Sequence, residues 1–324
     1  MKANKFFTVV TINILILVFI RTNVLAQSAE EWNKKGIELY KNKKYKEAIN
    51  CFDMALEKDP KSSGIWFNKA NSCLCLSSYG SDTDECRRAL YCYNKALDYK
   101  PSFTQARFIK AYILYYVFKK PDEAKKCLEE TMKFDPKLKG FEINKQISLY
   151  LTATPLNMAV MVNSEKLLKF LIDRGGDVYF LASCHMGPLG LPLHTAVMEN
   201  RKNIVKFLIE DCKVDVNHAD GYGQTPLFNA IYIDNKEMLK LLIGYGADVN
   251  ARDVKMGAYD DGPGGETPIF YAILWDNKEM VKLLVTYGAD VNARSDEGIT
   301  PLTLAKREKK YEIIKILEGY GAKE

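Results

Sequence analysis

At 324 residues, 47% hydrophobic and 27% charged, the chain is longer than one usual domain and too apolar to be disordered or fibrous, which points to two globular modules. Its formal charge of +5 falls to +2 without Lys2, Lys5 and Arg21 near the N-terminus, and a nearly neutral remainder gives no support for nucleic-acid binding. The charge is uneven: residues 27–151 carry 23 basic against 17 acidic side chains and 152–324 carry 20 against 24, a contrast that solvated helix faces explain more simply than partners of opposite charge.

The N-terminus comes first in chain order. Met1 to Lys5 is basic, Phe6 to Ile20 is an almost unbroken apolar run, and "NVLAQ" follows with a small residue at Ala26. This pattern reads as a secretory signal peptide over 1–26, so export to the periplasm or the exterior is expected. N-terminal anchoring in the membrane is the alternative, but 15 apolar residues fall short of the ~20 that a spanning helix needs. No other stretch approaches spanning length.

Three segments then align: "KYKEAINCFDMALEKDP", "ECRRALYCYNKALDYKP" and "PDEAKKCLEETMKFDP". Ala48, Ala89 and Ala124 correspond, as do Phe52, Tyr93 and Leu128, and Pro60, Pro101 and Pro136. A second helical stretch precedes each segment, with Gly36, Ala70 and Ala111 small where two helices must cross closely. Each unit is therefore an antiparallel helix pair whose second helix is ended by proline. The pattern resembles the tetratricopeptide repeat, with the first unit the best match and an insertion of about seven residues around "SSYGSDTD" in the second. "FEINKQISLYL" (141–151) reads as a terminal helix covering the last unit, which gives a domain over 27–151 of about three repeats.

The second half repeats differently. "TPLNMAV", "LPLHTAV", "TPLFNAI", "TPIFYAI" and "TPLTLAK" each open a helix, with Thr expected to cap it and Pro suited to the first turn. A second helix follows each, as in "MLKLLIGYG" and "MVKLLVTYG", and glycine permits a left-handed exit. "GADVNAR" occurs twice, and its Asp and Asn shape a turn that projects before the next Thr-Pro. These elements, recurring in register, resemble the ankyrin repeat over essentially all of 152–322, so 152–324 reads as an ankyrin domain of about five repeats. The expected fold is all-α: two joined α-solenoids, the second with short β-hairpin fingers. Successive prolines of this motif stand 37, 34, 42 and 33 residues apart, and the 42-residue step contains "AYDDGPGGETP", an insertion of about nine residues that reads as a lengthened finger.

No enzyme motif is present: there is no glycine-flanked serine elbow, His-Glu-x-x-His, phosphate loop or dinucleotide fingerprint, and no cofactor is implied. Cys184, His185, His194, Cys212 and His218 lie close in sequence and define the alternative of a metal-binding or redox protein. They lack paired ligand spacing, and His194 falls where the ankyrin pattern keeps a structural histidine whose usual threonine partner is here Leu191. Asp260 and Asp261 lack the alternating oxygen ligands of a calcium loop. Of eight cysteines, Cys51, Cys92 and Cys127 share one slot in successive helix pairs. Helices there stack ~9–10 Å apart, beyond the ~7 Å limit for a bridge, so packed thiols are expected. Cys75 and Cys86 flank the insertion and form a candidate disulfide, with Cys73 a rival for Cys75.

The tetratricopeptide resemblance implies a peptide groove on the first helices, which maps to Tyr40, Phe67, Asn71, Phe108, Tyr112, Tyr115 and Tyr116. Packing against the terminal helix is the competing account of Tyr115 and Tyr116. Some family members clamp a peptide carboxylate with Lys, Asn and Arg, but Ile37 stands where that clamp needs Asn. In the ankyrin half the finger residues Asp220, Tyr222, Asp253, Tyr259, Asp260, Asp261 and Ser295 are the candidates, although turns alone also select Asp. The sequence thus points to an exported, non-catalytic scaffold that binds other proteins or peptides. A secreted effector acting on host proteins is a further alternative.

Overall fold

The computed structural model describes residues 27–77, 84–138, 154–180, 191–254 and 264–323. Among these residues there are sixteen helices and no strand. The apolar N-terminus, the expected terminal helix at 141–151, Cys184, His185, and the finger residues Tyr259, Asp260 and Asp261 lie outside the described residues. Two compact units divide the chain after Asp135. No described helix is long and apolar enough to cross a membrane.

The N-terminal unit is three antiparallel pairs: α1 (Ala29–Lys41) with α2 (Tyr45–Lys58), α3 (Ser63–Leu76) with α4 (Asp84–Tyr99), and α5 (Thr104–Tyr116) with α6 (Pro121–Phe134). Helix α1 begins in a capping box, Ser28 Oγ accepting from Glu31 N at 3.2 Å and Glu31 Oε2 from Ser28 N at 2.8 Å. The close crossing rests on Gly36, where a methyl group would come within 2.5 Å of the fully buried Phe52 ring. Ala48, Ala55, Ala89, Ala96 and Ala124 are buried on the facing helices. The proline slot also works through its carbonyl: the Trp66 indole N–H donates to Pro60 O at 2.8 Å. In the third pair Arg107 is buried, with its guanidinium donating to Glu130 Oε2 at 2.6 Å and to Pro101 O at 2.5 Å. It lies 5.0 Å from the Phe134 ring centroid, so one cation ties together both helices and the preceding turn.

Cys51, Cys92 and Cys127 are buried thiols, as their shared slot implies. Burial pushes the Cys51 and Cys127 thiols up, which suits packing rather than reactivity. The expected Cys75–Cys86 bridge is not formed. Cys75 Sγ is turned instead toward the Tyr40 hydroxyl, 3.6 Å away on α1, while Cys86 is buried at the start of α4.

The C-terminal unit stacks five helix pairs: α7 (Pro155–Met161) with α8 (Glu165–Ile172), α9 (Pro192–Met198) with α10 (Lys202–Glu210), α11 (Pro226–Tyr232) with α12 (Lys236–Gly244), α13 (Pro268–Leu274) with α14 (Lys278–Thr286), and α15 (Pro301–Arg307) with α16 (Tyr311–Gly319). Proline occupies the first turn of every leading helix. The threonine cap behaves unevenly. Thr154 and Thr300 accept from the N–H three residues on, at 3.1 and 3.2 Å, but Thr225 and Thr267 do not. In those two units the same N–H, of Phe228 and Phe270, bonds to the threonine's own backbone carbonyl at 3.0 Å, which removes the need for the hydroxyl.

The asparagine of the "DVN" turn does more than shape its loop. Asn217 Nδ2 donates to Gly246 O at 3.0 Å while its Oδ1 accepts from Asp248 N at 2.8 Å. Asn250 repeats this toward Gly288 O and Asp290 N at 3.1 and 2.8 Å, and Asn292 toward Gly321 O and Lys323 N at 3.4 and 2.7 Å. Each side chain satisfies one acceptor and one donor in the following repeat, which sets the register of stacking. The glycine exits are left-handed, with φ of 89° at Gly246 and 92° at Gly288. The expected β-hairpin fingers are tight turns, closed by backbone bonds such as Asp220 N to Gln224 O at 2.9 Å and Gly223 N to Asp220 O at 3.0 Å, and no strand is present among the described residues.

Candidate interaction surfaces

Of the seven residues of the groove expected in the N-terminal unit, Phe67 and Phe108 are core and the other five are half-buried. Phe67 packs 4.7 Å from the Phe103 ring and 5.9 Å from Tyr93, and Phe108 is 2% exposed. The physical reason is helical phase: Phe67 and Phe108 each lie three residues before the small crossing residue, Ala70 and Ala111, and so share its buried face. Asn71 is engaged internally, its Oδ1 accepting from the buried Tyr93 hydroxyl at 2.5 Å. Tyr40 is half-buried against Tyr45 at 5.6 Å. Tyr112, Tyr115 and Tyr116 form a half-buried cluster at 4.5 and 5.1 Å near the end of α5. With Tyr40 and Asn71 they are the members of the expected groove that reach solvent.

The finger residues divide similarly. Asp220 Oδ1 closes its own turn by accepting from Tyr222 N and Gln224 N at 2.8 and 3.0 Å. Asp253 is buried, accepting from Glu266 N at 2.7 Å and from the Tyr271 hydroxyl. Ser295, also buried, accepts from Ile299 N at 3.1 Å. These three occupy one slot that closes the turn inward, so Asp253 and Ser295 offer no side chain to a partner. Among the described finger candidates, Tyr222 is the one that projects.

The Cys/His group does not assemble as a ligand set among the described residues, where no three His, Cys, Asp or Glu side chains converge as metal ligands would. His194 is buried, and its Nε2–H donates to Gln224 O in the next finger at 2.9 Å. Its Nδ1 has no partner, because Leu191 stands where a threonine hydroxyl would meet it. Burial holds its pKa below the usual histidine range, against the opposing effect of that hydrogen bond. His218 packs against Tyr179 with ring centres 4.5 Å apart and the planes tilted by 52°.

An aromatic cleft that sequence reasoning missed lies on the leading helices of the second, third and fourth C-terminal repeats. It has a volume of about 390 Å³ and is lined by Tyr222, Phe228, Asn229, Tyr232, Tyr271 and Trp275, together with Met198 and Gln224. Tyr232 is 63% and Trp275 44% exposed. The rings meet edge to face: Phe228 and Tyr271 at 5.2 Å, Tyr271 and Trp275 at 5.7 Å, Tyr232 and Trp275 at 5.4 Å. Tyr271 is fixed from behind, donating to Asp253 Oδ2 and accepting from Gln224 Nε2 at 3.0 Å. Burial and that carboxylate push its phenol well above the usual range, so it stays protonated. The signal for this cleft was Tyr232 and Trp275 at the exposed ends of α11 and α13, where a leading helix has no packing use for a large ring.

Comparison with known proteins agrees with this architecture. Residues 29–62 match the tetratricopeptide repeat, and residues 156–253 and 254–323 match ankyrin repeats. The chain is 31% identical over 111 residues to the protein STIP1 homolog of Dictyostelium discoideum, covering 34% of this chain and 18% of that protein. It is 27% identical over 108 residues to the Hsp70-Hsp90 organizing protein of Triticum aestivum, covering 33% and 17%. The chain therefore spans less than a fifth of the length of these relatives. With its match extending over more than half of the sequence, the chain belongs to the ankyrin repeat family and carries a tetratricopeptide repeat unit ahead of its ankyrin array.

Proposed function

We propose that this chain is an exported, non-catalytic scaffold that engages partner proteins mainly through the inner face of its ankyrin array. The observation that carries the reading is the pair of large rings, Tyr232 and Trp275, left 63% and 44% exposed beside a preformed cleft. Exposed apolar surface of this kind marks interaction sites. Repeat arrays hold variable side chains on a fixed framework, and their concave faces bind extended partners. Export is supported by the basic, apolar and small-residue order of residues 1–26. Removal after Ala26 leaves a mature chain starting at Gln27, which keeps the Ser28 capping box of α1.

Two relatives are named for Hsp70 and Hsp90. The proposal does not extend to chaperone tails, because Ile37 occupies the asparagine position of the carboxylate clamp and is partly buried against the Trp32 and Phe52 cluster.

The test is a photo-crosslinking residue placed at Tyr232 in the full chain, expressed in its own cell, with the same residue at the exposed Tyr311 as control. A discrete adduct from position 232 and none from 311 is expected. Equal labelling from both, or none from either, would count against the reading. N-terminal sequencing of the fractionated protein is expected to begin at Gln27; a chain retaining Met1 in the cytosol would remove export from the proposal.

A further inference from the structure

We infer that the aromatic cleft of the ankyrin array receives the guanidinium of an arginine presented by a partner peptide, an assignment that rests on the protein-binding reading above and specifies the partner's chemistry. Three features converge on a cation that donates hydrogen bonds.

The first is the wall. Phe228, Tyr271, Trp275 and Tyr232 form a continuous edge-to-face chain at 5.2, 5.7 and 5.4 Å. Edge-to-face packing turns successive rings so that π-faces are presented at different angles around the cleft, and a cation is drawn to such faces. The hydrogen bond from Tyr271 to the Asp253 carboxylate makes that ring more electron-rich than a phenol in water.

The second is the floor. Asn229 lines the cleft, is 4% exposed, and its Oδ1 has no hydrogen-bond partner. An amide oxygen is an acceptor. A buried acceptor without a donor is unfavourable, so an occupant that supplies N–H groups is preferred over one that is purely apolar.

The third is charge. Asp253 and Glu266 are 7% and 6% exposed, and both carboxylates act on Tyr271 at the wall of the cleft. Among the described residues no Lys or Arg lines the cleft. The nearby Arg252 is directed elsewhere, to Arg294 O at 2.6 Å and Asp296 Oδ1 at 2.8 Å. An anionic occupant would meet acceptors and carboxylates. A planar guanidinium stacks on the rings while its remaining N–H groups face the Asn229 side of the cleft, which a compact ammonium does less well. The volume of about 390 Å³ suits one extended side chain and its flanking backbone.

The test uses the full chain and fluorescein-labelled nonapeptides with a Gly-Ser background and a central Arg, Lys, citrulline or norleucine, followed by fluorescence polarisation. The arginine peptide is expected to saturate and to bind at least tenfold more tightly than each of the other three. Tyr232→Ala and Trp275→Ala are each expected to weaken it at least tenfold with an unchanged Tm. Equal binding of citrulline or norleucine would overturn the cationic assignment, and equal binding of lysine the guanidinium assignment. Arginine binding that survives both ring substitutions, or fails to saturate, would remove the cleft as the site. A crosslinked partner at position 232 that docks without an arginine would leave the scaffold reading intact and sink this inference alone.

Discussion

The two units place aromatic residues on comparable leading helices and bury them to different extents. In the N-terminal unit Phe67 and Phe108 sit in phase with Ala70 and Ala111, so the small residue that brings the helices together also draws the ring inside. In the C-terminal unit the leading helices are seven residues long, and their buried face is filled by Leu227, Phe228, Ala230 and Ile231 or by their counterparts in α13. Tyr232 and Trp275 fall past that face and stay exposed. An aromatic stripe is therefore left open to a partner only where the helix's packing needs are already met.

The sharpest way to break this contrast is to truncate one ring on each side. Phe108→Ala removes a buried ring and is expected to cost about 3–5 kcal/mol, read as a fall in denaturation midpoint of the N-terminal unit. Trp275→Ala is expected to change stability by less than about 1 kcal/mol. A mild Phe108→Ala would return that residue to the groove.

Next in size is Gly36→Ala, which drives a methyl group against Phe52. Overpacking of this kind costs about 1–3 kcal/mol, partly offset by the better helix propensity of alanine. A stabilised variant would mean that the α1–α2 crossing is looser than the structure has it.

A smaller effect is expected from Asn250→Ala, which deletes both hydrogen bonds from one repeat to the next. At about 0.5–1.5 kcal/mol per bond, discounted for exposure, a loss of about 1–2 kcal/mol is expected by chemical denaturation. The same substitution at Asn42, which lies in the N-terminal unit, should be nearly silent.

The pH dependence distinguishes the units as well. The pKa of His194 is depressed in the folded state by burial, so below the unfolded value of about 6.5 the unfolded chain binds more protons. Its contribution is therefore complete above that value and is lost as pH falls through it toward the folded pKa. His194→Gln should flatten this part of the C-terminal unit's stability profile between pH 7 and 5. An unchanged slope would assign it to other groups.

Much of this was legible in the sequence because repetition reveals it. Helix pairs, Thr-Pro starts, glycine exits and the shared cysteine slot each recur, so one reading is checked several times over. What escaped was specific to single copies or to phase. The Asp220, Asp253 and Ser295 slot looked like exposed finger tips, yet the turn folds its acceptor inward. Thr225 and Thr267 looked like caps, but their own carbonyls take the N–H. The cleft formed by Tyr232, Tyr271 and Trp275 joins residues of two repeats, and alignment of repeats compares equivalent positions rather than neighbours in space.

Hydroxyl-radical footprinting of the full chain, alone and with its crosslink-identified partner, tests the central claim most directly. Tyr232 and Trp275 are expected to react readily when free and to be protected in the complex, while Phe67 and Phe108 stay unreactive in both. Reactive Phe67 and Phe108 that become protected, with Tyr232 and Trp275 unchanged, would place the partner on the N-terminal unit and contradict the account.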